Sequence, residues 1–212
     1  MYMPAAFNEN RPEVLHTLIR AYPLGCLVSH SDQGLTADHI PMLMLPADAR
    51  HPQGRLIAHV ARANPVWQQQ GEVMVVFQGP HAYITPAWYE EKQQSGAVVP
   101  TYNYAVVHVH GKLQTVDDKT DFLQILEQLT DHFEAQRSHP WRVSDAPADY
   151  IQTLMDMIVG IEIPVQRITG KWKTSQNKSV QNRSNIAAGL RELNDSAAQA
   201  LAHITEQQLF GA

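Results

Sequence analysis

The clearest chemical signal in the sequence is a basic stretch near its C-terminal end, residues 170–183. No Asp or Glu occurs between residues 163 and 191, although the whole chain carries a net charge of −5. Six of the sixteen Lys and Arg lie in this interval: Arg167, Lys171, Lys173, Lys178, Arg183 and Arg191. Hydroxyl and amide side chains and the indole of Trp172 are interleaved with them. A local positive field in an acidic chain favours a specific anion such as a phosphate, and a solvated loop or a dimer-packing arm is the alternative.

A second cation, Arg62, stands at a predicted junction between a strand and a short helix. Asn64 is a good N-cap residue and Pro65 suits the first helical position. Because helix N-termini carry unpaired N–H groups, they attract anions as Arg62 does. We expect Arg62 and the basic stretch to converge on one ligand.

Histidines are numerous, eleven in all, but their spacing is not that of a known metal site. His108 and His110 share one face of a predicted strand, where two ligands can chelate an ion, yet no HExxH motif is present. We therefore predict no metal. His39, His59 and His108 are the candidates for proton transfer, and the sequence does not identify an orienting carboxylate for any of them.

Other catalytic signatures are missing from the sequence. It has no GxSxG elbow, no GxGxxG and no Walker loop. Cys26, the single cysteine, lies in an apolar run typical of a core strand. Trp88, Tyr102, Tyr104 and Trp172 are either an aromatic wall for a ligand or ordinary core residues. Catalytic residues are thus not identified.

The first half of the chain reads as one helix followed by strands in hairpins. A capping signal at Asn10 and apolar residues at helical spacing predict a helix that Pro23 stops. Strands are predicted at residues 24–29 and 35–45 across a turn at 31–34, and then at 56–60, 72–78 and 81–85. Gly79 and Pro80 separate the last two, and Pro41 indicates an edge or a bulge.

The second half adds one long strand and several helices. Residues 102–113 alternate as a strand, and helices are predicted at 117–137 and at 147–158, where Gly160 ends the second. A strand at 161–165 leads into the basic stretch, and helices at 186–193 and 196–207 close the chain. Strands in hairpin order predict a mainly β, α+β fold, an antiparallel barrel with added helices, as one domain over residues 1–212.

Composition limits the cellular setting and the partners. One cysteine, no signal-peptide pattern and no window of ~18 apolar residues favour the cytoplasm. The negative net charge argues against non-specific nucleic-acid binding by the whole surface, so DNA is possible as a partner but not supported by overall charge.

An ordered set of short motifs resembles the PaiB-type family, the FMN-binding negative transcriptional regulators. The motifs run almost from end to end: MYMP at residue 1, HIP at 39, HVARANP at 59, YITPAWY at 83, VPTYNY at 99, VHVHGK at 107 and KWKTSQNK at 171. No single motif is specific, but their order is. Tyr102 stands where the family pattern has Trp, and Trp172 and Thr174 also depart from the usual residues.

This resemblance implies a Greek-key-like split β-barrel related to pyridoxamine-oxidase-like flavoproteins, and a homodimer with FMN in the groove between subunits. It also implies which residues meet the cofactor. One strand runs along the flavin and directs its arginine to the phosphate: His59, Val60, Ala61 and Arg62. The backbone of a second segment meets the isoalloxazine edge: Asp38, His39, Ile40 and Pro41. A third group closes the site, on its own subunit or on the partner: Tyr102, Asn103, Lys173, Ser175 and Gln176.

Two functions remain open at this point. The family name implies a regulatory flavoprotein linked to negative control of transcription. However, no helix-turn-helix is apparent, and the helices predicted at 117–137 and 147–158 are acidic or mixed, so regulation would be indirect or would use the basic stretch. The alternative is a flavin-dependent oxidoreductase acting on a small aromatic or heterocyclic substrate. A third outcome is a barrel that binds another small anion.

Overall fold

The computed structural model describes residues 1–32, 34–69 and 71–210, and its regular elements are strands and helices in mixed order. The strands are β1 (Asn8–Glu9), β2 (Leu24–Ser31), β3 (Gly34–Pro41), β4 (Leu43–Leu45), β5 (Arg55–Ala61), β6 (Glu72–Ile84), β7 (Thr101–Lys112), β8 (Gln114–Val116) and β9 (Ile158–Lys173). The helices are α1 (Pro12–Ala21), α2 (Glu91–Gln94), α3 (Lys119–Glu134), α4 (Ala148–Met155), α5 (Val180–Glu192) and α6 (Ser196–Phe210).

The strands form one sheet in the order β3-β2-β6-β7-β9-β5-β4, and β1 and β8 also pair with β9. Pairing is antiparallel between β2 and β3, β2 and β6, β4 and β5, and β5 and β9. The short strands β1 and β8 are antiparallel to β9 as well. The predicted class, an antiparallel sheet with added helices, is confirmed. No helix in the described part of the chain is long and apolar enough to cross a membrane.

Two compact units can be distinguished along the chain. The first consists of residues 1–18, 78–107 and 169 onward, and the second of residues 19–77 and 108–168. In the first unit, α5 packs on α6 around a buried cluster that includes Ile84, Tyr89, Ile186, Leu190 and Leu201. In the second, α3 covers β4 and β5 through Leu43, Ile57, Ile125 and Leu129. Each unit therefore has its own apolar core.

The first helix and hairpin follow the sequence patterns. Pro12 begins α1, and the hairpin pairs Leu24 with Pro41 and Ser31 with Gly34. Gln33, in the predicted turn, lies outside the described residues. Pro41 ends β3, the first strand in the sheet order, so the expectation of an edge position is confirmed.

The second arm of that hairpin is shorter than predicted. It ends at Pro41, and the N–H of Met42 donates to the carbonyl of Pro23 at 2.9 Å. Residues 43–45 then form β4, which pairs with β5 instead of β2. Because proline has no N–H to continue the ladder, the chain changes partner at this residue.

The predicted break at Gly79 and Pro80 is wrong, since β6 runs without interruption from Glu72 to Ile84. A Cβ atom at residue 79 would lie 2.7 Å from Leu18 Cδ1 and 3.1 Å from the carbonyl oxygen of Ala105. Glycine is needed here for close packing, and a turn is not formed.

The predicted end of the second central helix at Gly160 is also wrong. Helix α4 ends at Met155, and Gly160 lies inside β9, which starts at Ile158. A Cβ atom at residue 160 would lie 2.5 Å from Phe122 Cδ2. Glycine here makes room for α3 against the sheet.

Much of the basic stretch belongs to regular structure. Residues 170–173 are the last part of β9, and α5 begins at Val180, before its predicted start, with Ser179 as its N-cap. Lys171, Trp172, Thr174 and Ser175 are buried. The alternative of a fully solvated loop therefore does not hold for these residues.

Candidate functional site

Lys173, at the end of β9, is held against the start of β7 within the first unit. Its ammonium donates to the hydroxyl of Thr101 and to the carbonyl of Tyr102, each at 2.5 Å. Partial burial lowers the pKa of Lys173 below its ordinary value, because leaving water penalises the charged form. The cation is thus positioned by neutral oxygens and is not paired with a carboxylate among the described residues.

Asn103 and Ser175 form a buried polar pair beside Lys173. The amide of Asn103 donates to Ser175 Oγ at 2.9 Å. The other amide atom, Oδ1, is buried and accepts no hydrogen bond from the described residues. A buried acceptor without a donor is costly, roughly 1–3 kcal/mol. This atom therefore calls for an N–H or O–H group from a ligand.

Ser175 has a backbone conformation that few residues other than glycine adopt, with φ at 66°. Its side chain lies near the phenol of Tyr89, and Ser175 partly offsets the rise in the Tyr89 pKa that burial causes. Strain of this kind costs on the order of 1–3 kcal/mol and persists where the surroundings enforce it. Asn103 and Tyr89 supply that constraint.

These side chains line a cavity of about 300 Å³, which we call the Lys173 cavity. Lys178 also lines it and places Nζ 5.1 Å from the centroid of the Tyr89 ring. Its principal lining residues are Phe7, Tyr89, Asn103, Lys173, Ser175 and Lys178. No acidic side chain lies among the residues that line it. Two cations, one unpaired acceptor and an apolar wall suit a flat heterocycle with hydrogen-bonding edges.

Two of the predicted site residues in this unit lie outside the Lys173 cavity lining. The hydroxyl of Tyr102 is hydrogen-bonded to His81 Nδ1 at 2.8 Å, and the two rings stack. Gln176 turns back on its own chain, because its Oε1 accepts from the N–H of Thr174 at 2.9 Å and its amide donates to the carbonyl of Trp172.

In the second unit, the segment around Asp38 is held to the strand-to-helix junction. Asp38 Oδ1 accepts from the amide of Asn64 at 2.8 Å, and Asn64 Oδ1 accepts from the N–H of Val66 at 2.9 Å. Asn64 therefore caps a short 3₁₀ helix, Pro65–Gln68, as predicted. Ile40 is buried, while His39 and Pro41 are exposed on β3.

Arg62 follows β5 directly in the same unit. Its Nε donates to the carbonyl of Asp156 at 2.7 Å, and a terminal nitrogen donates to the carbonyl of Ile158 at 3.0 Å. A guanidinium has five N–H donors, so its geometry is fixed by two while the others can still bind an anion. In β5, Val60 is buried, and His59 and Ala61 are exposed.

The histidines on β7, His108 and His110, are partly withdrawn from water. Burial lowers the pKa of His108 and of His110. In the portion of the chain that the structure describes, no group of three or more His, Cys, Asp or Glu is arranged to hold a metal ion.

Sequence reasoning selected Asn103, Lys173 and Ser175 but missed Tyr89 as a site residue. Tyr89 lies in one of the motifs, yet it meets Ser175 from a segment 86 positions away in the sequence. No local spacing signals such a contact. A buried tyrosine with a polar partner is a signal that only the fold provides.

Comparison with known proteins identifies the family. The family model described as "Putative FMN-binding domain" matches residues 1–167. The chain belongs to this family. The prediction made from the motifs is confirmed, and FMN is the cofactor of the family. Lys173, Ser175 and Lys178 lie beyond the matched residues.

Alignments with related proteins and with solved structures cover most of the chain. An uncharacterized protein of Emericella nidulans is 34% identical, with 98% of this chain and 97% of that protein covered. The protease synthase and sporulation protein PAI 2 of Bacillus subtilis is 27% identical, with 99% and 98% covered. The FAD and heme binding protein of Mycobacterium smegmatis has a similar fold, with a TM-score of 0.60, 14% identity and coverage of 86% and 80%. The split-barrel fold prediction is confirmed.

The residues of the Lys173 cavity have groups that complement one edge of an FMN ring. The pyrimidine edge of the isoalloxazine presents an N3–H donor between two carbonyl oxygens. Asn103 Oδ1 lacks a donor, and cations such as Lys173 and Lys178 complement carbonyl oxygens. A phosphate alone would leave Asn103 Oδ1 unsatisfied, because a phosphate dianion has no proton to donate.

Proposed function

We propose that this protein is a homodimeric FMN-binding regulatory flavoprotein linked to negative control of transcription. The observation that carries the proposal is the buried, unpaired Oδ1 of Asn103 beside Lys173 and Ser175. It supports recognition of the flavin ring by hydrogen bonding, beyond a generic attraction for anions. The likeness to PAI 2, whose name refers to protease synthesis and sporulation, supports a regulatory role.

In this proposal the chain binds the cofactor through three groups of residues. Asn103, Lys173 and Ser175 hold the pyrimidine edge, and Tyr102 and Gln176 support them from outside the cavity lining. Arg62 contributes its remaining N–H donors to the phosphate. The strands bearing the third group run beside the ring: Asp38, His39, Ile40, Pro41, His59, Val60 and Ala61.

Bound FMN supplies the redox chemistry, and the chain supplies position and charge. Lys173 places a cation where negative charge gathers on a reduced ring, which favours reduction. The apolar side of the Lys173 cavity, with Phe7, Val99 and Pro100, can exclude water. This side is also what favours the second candidate, a flavin-dependent oxidoreductase that takes a small aromatic or heterocyclic substrate.

Regulation through an indirect route is better supported than direct DNA binding. Lys171 is buried and donates to the carbonyl of Tyr2 at 3.1 Å, with its ammonium 5.4 Å from the centroid of the Tyr104 ring. Arg191 is paired with Glu206. Cations engaged in this way are poorly placed to contact successive phosphates. We therefore expect the flavin state to be read by another protein.

The decisive test is an absorbance titration of the purified protein with FMN and, separately, with riboflavin, which lacks the phosphate. Saturable binding of FMN with a shifted flavin spectrum is expected, with weaker binding of riboflavin. No binding at micromolar FMN would reject both flavin functions. Bleaching by a nicotinamide with turnover of an added substrate would favour the oxidoreductase, and salt-dependent DNA binding at nanomolar protein would reject the indirect route.

A further inference from the structure

A second cavity in the first unit is larger than the Lys173 cavity and has a different character. It is an open groove of about 680 Å³. We call it the Arg183 groove, and the lining residues that matter here are Arg11, Val14, Trp172, Arg183, Ile204 and Gln208. Successive side chains of an extended chain point to opposite faces. Accordingly, Lys173 lines the first cavity and its neighbour Trp172 lines the groove.

Arg183 is the unsatisfied group in this groove. It lies in the first turn of α5 and is half-buried, and its Nε is buried without a hydrogen-bond partner in the described structure. No described carboxylate lies within the 4.0 Å of an ion pair with it. A guanidinium N–H withdrawn from water and left without an acceptor is unfavourable. The groove therefore lacks an acceptor that a ligand can supply.

The other cation in the groove is already neutralised. The guanidinium of Arg11 donates two parallel hydrogen bonds to the carboxylate of Glu9, from Nε to Oε1 at 2.9 Å and from a terminal nitrogen to Oε2 at 2.6 Å. The carboxylate of Glu9 is itself almost fully buried. The uncompensated charge of the groove is therefore that of Arg183 alone, which matches one carboxylate better than a doubly charged phosphate.

Polar and apolar surfaces flank Arg183. Gln208 Oε1 accepts a hydrogen bond from the hydroxyl of Thr174, so the amide N–H groups of Gln208 remain available for a ligand. Val14 and Ile204 line the apolar side. A carboxylate fills only a small part of 680 Å³, so the rest of the space suits an apolar or aromatic body.

We propose that the Arg183 groove binds a small organic acid, with its single carboxylate on Arg183 and Gln208 and its apolar body against Val14 and Ile204. The groove is separate from the residues assigned above to FMN, apart from Gln176 on its wall. The protein would then respond to two ligands, the flavin and a metabolite acid.

The test is ligand-observed ¹⁹F NMR on the full-length protein with 4-fluorobenzoate as the probe. Its neutral isostere 4-fluorobenzamide is the control for charge, and inorganic phosphate is the control for anion class. The signal of 4-fluorobenzoate should broaden saturably on binding. Its affinity should be at least about tenfold higher than that of the amide, because the amide lacks the charged hydrogen bond to Arg183. Phosphate should not displace the probe.

Two variants on the same helix locate the site. Arg183→Gln should weaken 4-fluorobenzoate binding by about tenfold or more, while Arg191→Gln, a matched change at an arginine outside the groove, should leave it within about twofold. Both should keep the far-ultraviolet circular dichroism spectrum of the natural protein, which shows that they are folded. The same probe affinity is expected with and without saturating FMN.

Four results would each overturn the proposal: equal binding of the acid and the amide, displacement by phosphate, displacement by FMN, or unchanged affinity in Arg183→Gln. Because the probe experiment does not need FMN, its failure leaves the flavin titration untouched, and failure of FMN binding leaves the groove open to the same test.

Discussion

Lys173 illustrates how a cation is prepared for a ligand before the ligand arrives. Its two hydrogen bonds go to a hydroxyl and a carbonyl, Thr101 Oγ1 and the oxygen of Tyr102. An ion pair would have cancelled its charge, whereas neutral acceptors fix its position and leave the charge available. Asn103 complements it with an unpaired acceptor, so donor and acceptor stand together.

Changing Lys173 to Ala should weaken FMN binding by ~1–3 kcal/mol, since charge-assisted hydrogen bonds to the flavin are lost. The matched control is Lys92→Ala, an exposed lysine of the same unit, which should leave the affinity unchanged. Fluorescence titration of FMN measures both. Equal affinities in the two variants would remove Lys173 from the site.

The lowered pKa of Lys173 gives FMN binding a pH dependence. Burial moves this pKa below the ordinary 10.5, and only the protonated form carries the charge that strengthens a hydrogen bond to a flavin carbonyl oxygen. FMN affinity should therefore be full near neutral pH and fall as pH rises through the depressed pKa. Titrations at increasing pH measure the effect.

Lys173→Arg separates this titration from that of the flavin itself. Arginine stays charged throughout the range. The FMN affinity of Lys173→Arg should therefore stay constant until the pH at which the flavin N3–H ionises. A wild-type profile that coincides with that of Lys173→Arg would assign the whole pH effect to the flavin.

At the level of elements, two glycines account for the breaks that were predicted wrongly. Helix α1 and β7 carry their own capping and alternation signals, and their predicted bounds agree with the structure to within about a residue. The turn of the β2–β3 hairpin was also predicted, but its second arm ends at Pro41, earlier than expected. Gly79 and Gly160 were interpreted as breaks, but each lies inside a strand where a Cβ atom would collide with another element. A glycine for a turn and a glycine for close packing look identical in a sequence.

The sequence predicted those residues of the candidate site that lie in recognisable local motifs. Asn103, Lys173 and Ser175 lie in motifs that resemble a known family, so they were selected without the fold. Tyr89 and the unpaired Oδ1 of Asn103 were not, because both depend on contacts between β7, the end of β9 and a distant loop. Which buried polar atom lacks a partner is a property of the packed structure.

Packing of α3 on β9 can be tested at Gly160. Gly160→Ala should destabilise the protein by ~1–3 kcal/mol, because the new methyl group would lie 2.5 Å from Phe122 Cδ2 and overpacking costs that much. Denaturant unfolding of this variant measures the cost.

Combining Gly160→Ala with Phe122→Leu in a double-mutant cycle tests whether Phe122 is the residue that the new methyl group meets. Residues in contact show non-additive free energies, so Gly160→Ala should cost less in the Phe122→Leu background than in the natural chain. Strictly additive losses would mean that the methyl group meets something other than Phe122.

For the molecule as a whole, FMN and self-association should be linked. If residues of both subunits close the flavin site, as the proposed homodimer requires, sedimentation should give twice the mass of the chain, and one FMN should bind per chain. Dilution that dissociates the dimer should then release FMN. A monomer that binds FMN with undiminished affinity would contradict the shared site.

Ligand linkage sets the size of the effect on stability. A ligand at a hundred times its Kd stabilises the folded state by ~2.7 kcal/mol, which for a chain of this length corresponds to a rise in Tm of roughly 5–10 °C. Differential scanning fluorimetry with FMN should show this rise, and riboflavin at the same concentration should show less. In Lys173→Ala the FMN-induced rise should shrink. The Tm without FMN should stay close to that of the natural protein, because losing the hydrogen bonds to Thr101 and Tyr102 is offset by no longer withdrawing the ammonium from water. A large fall in Tm of the FMN-free variant would instead assign Lys173 a structural role between β7 and β9.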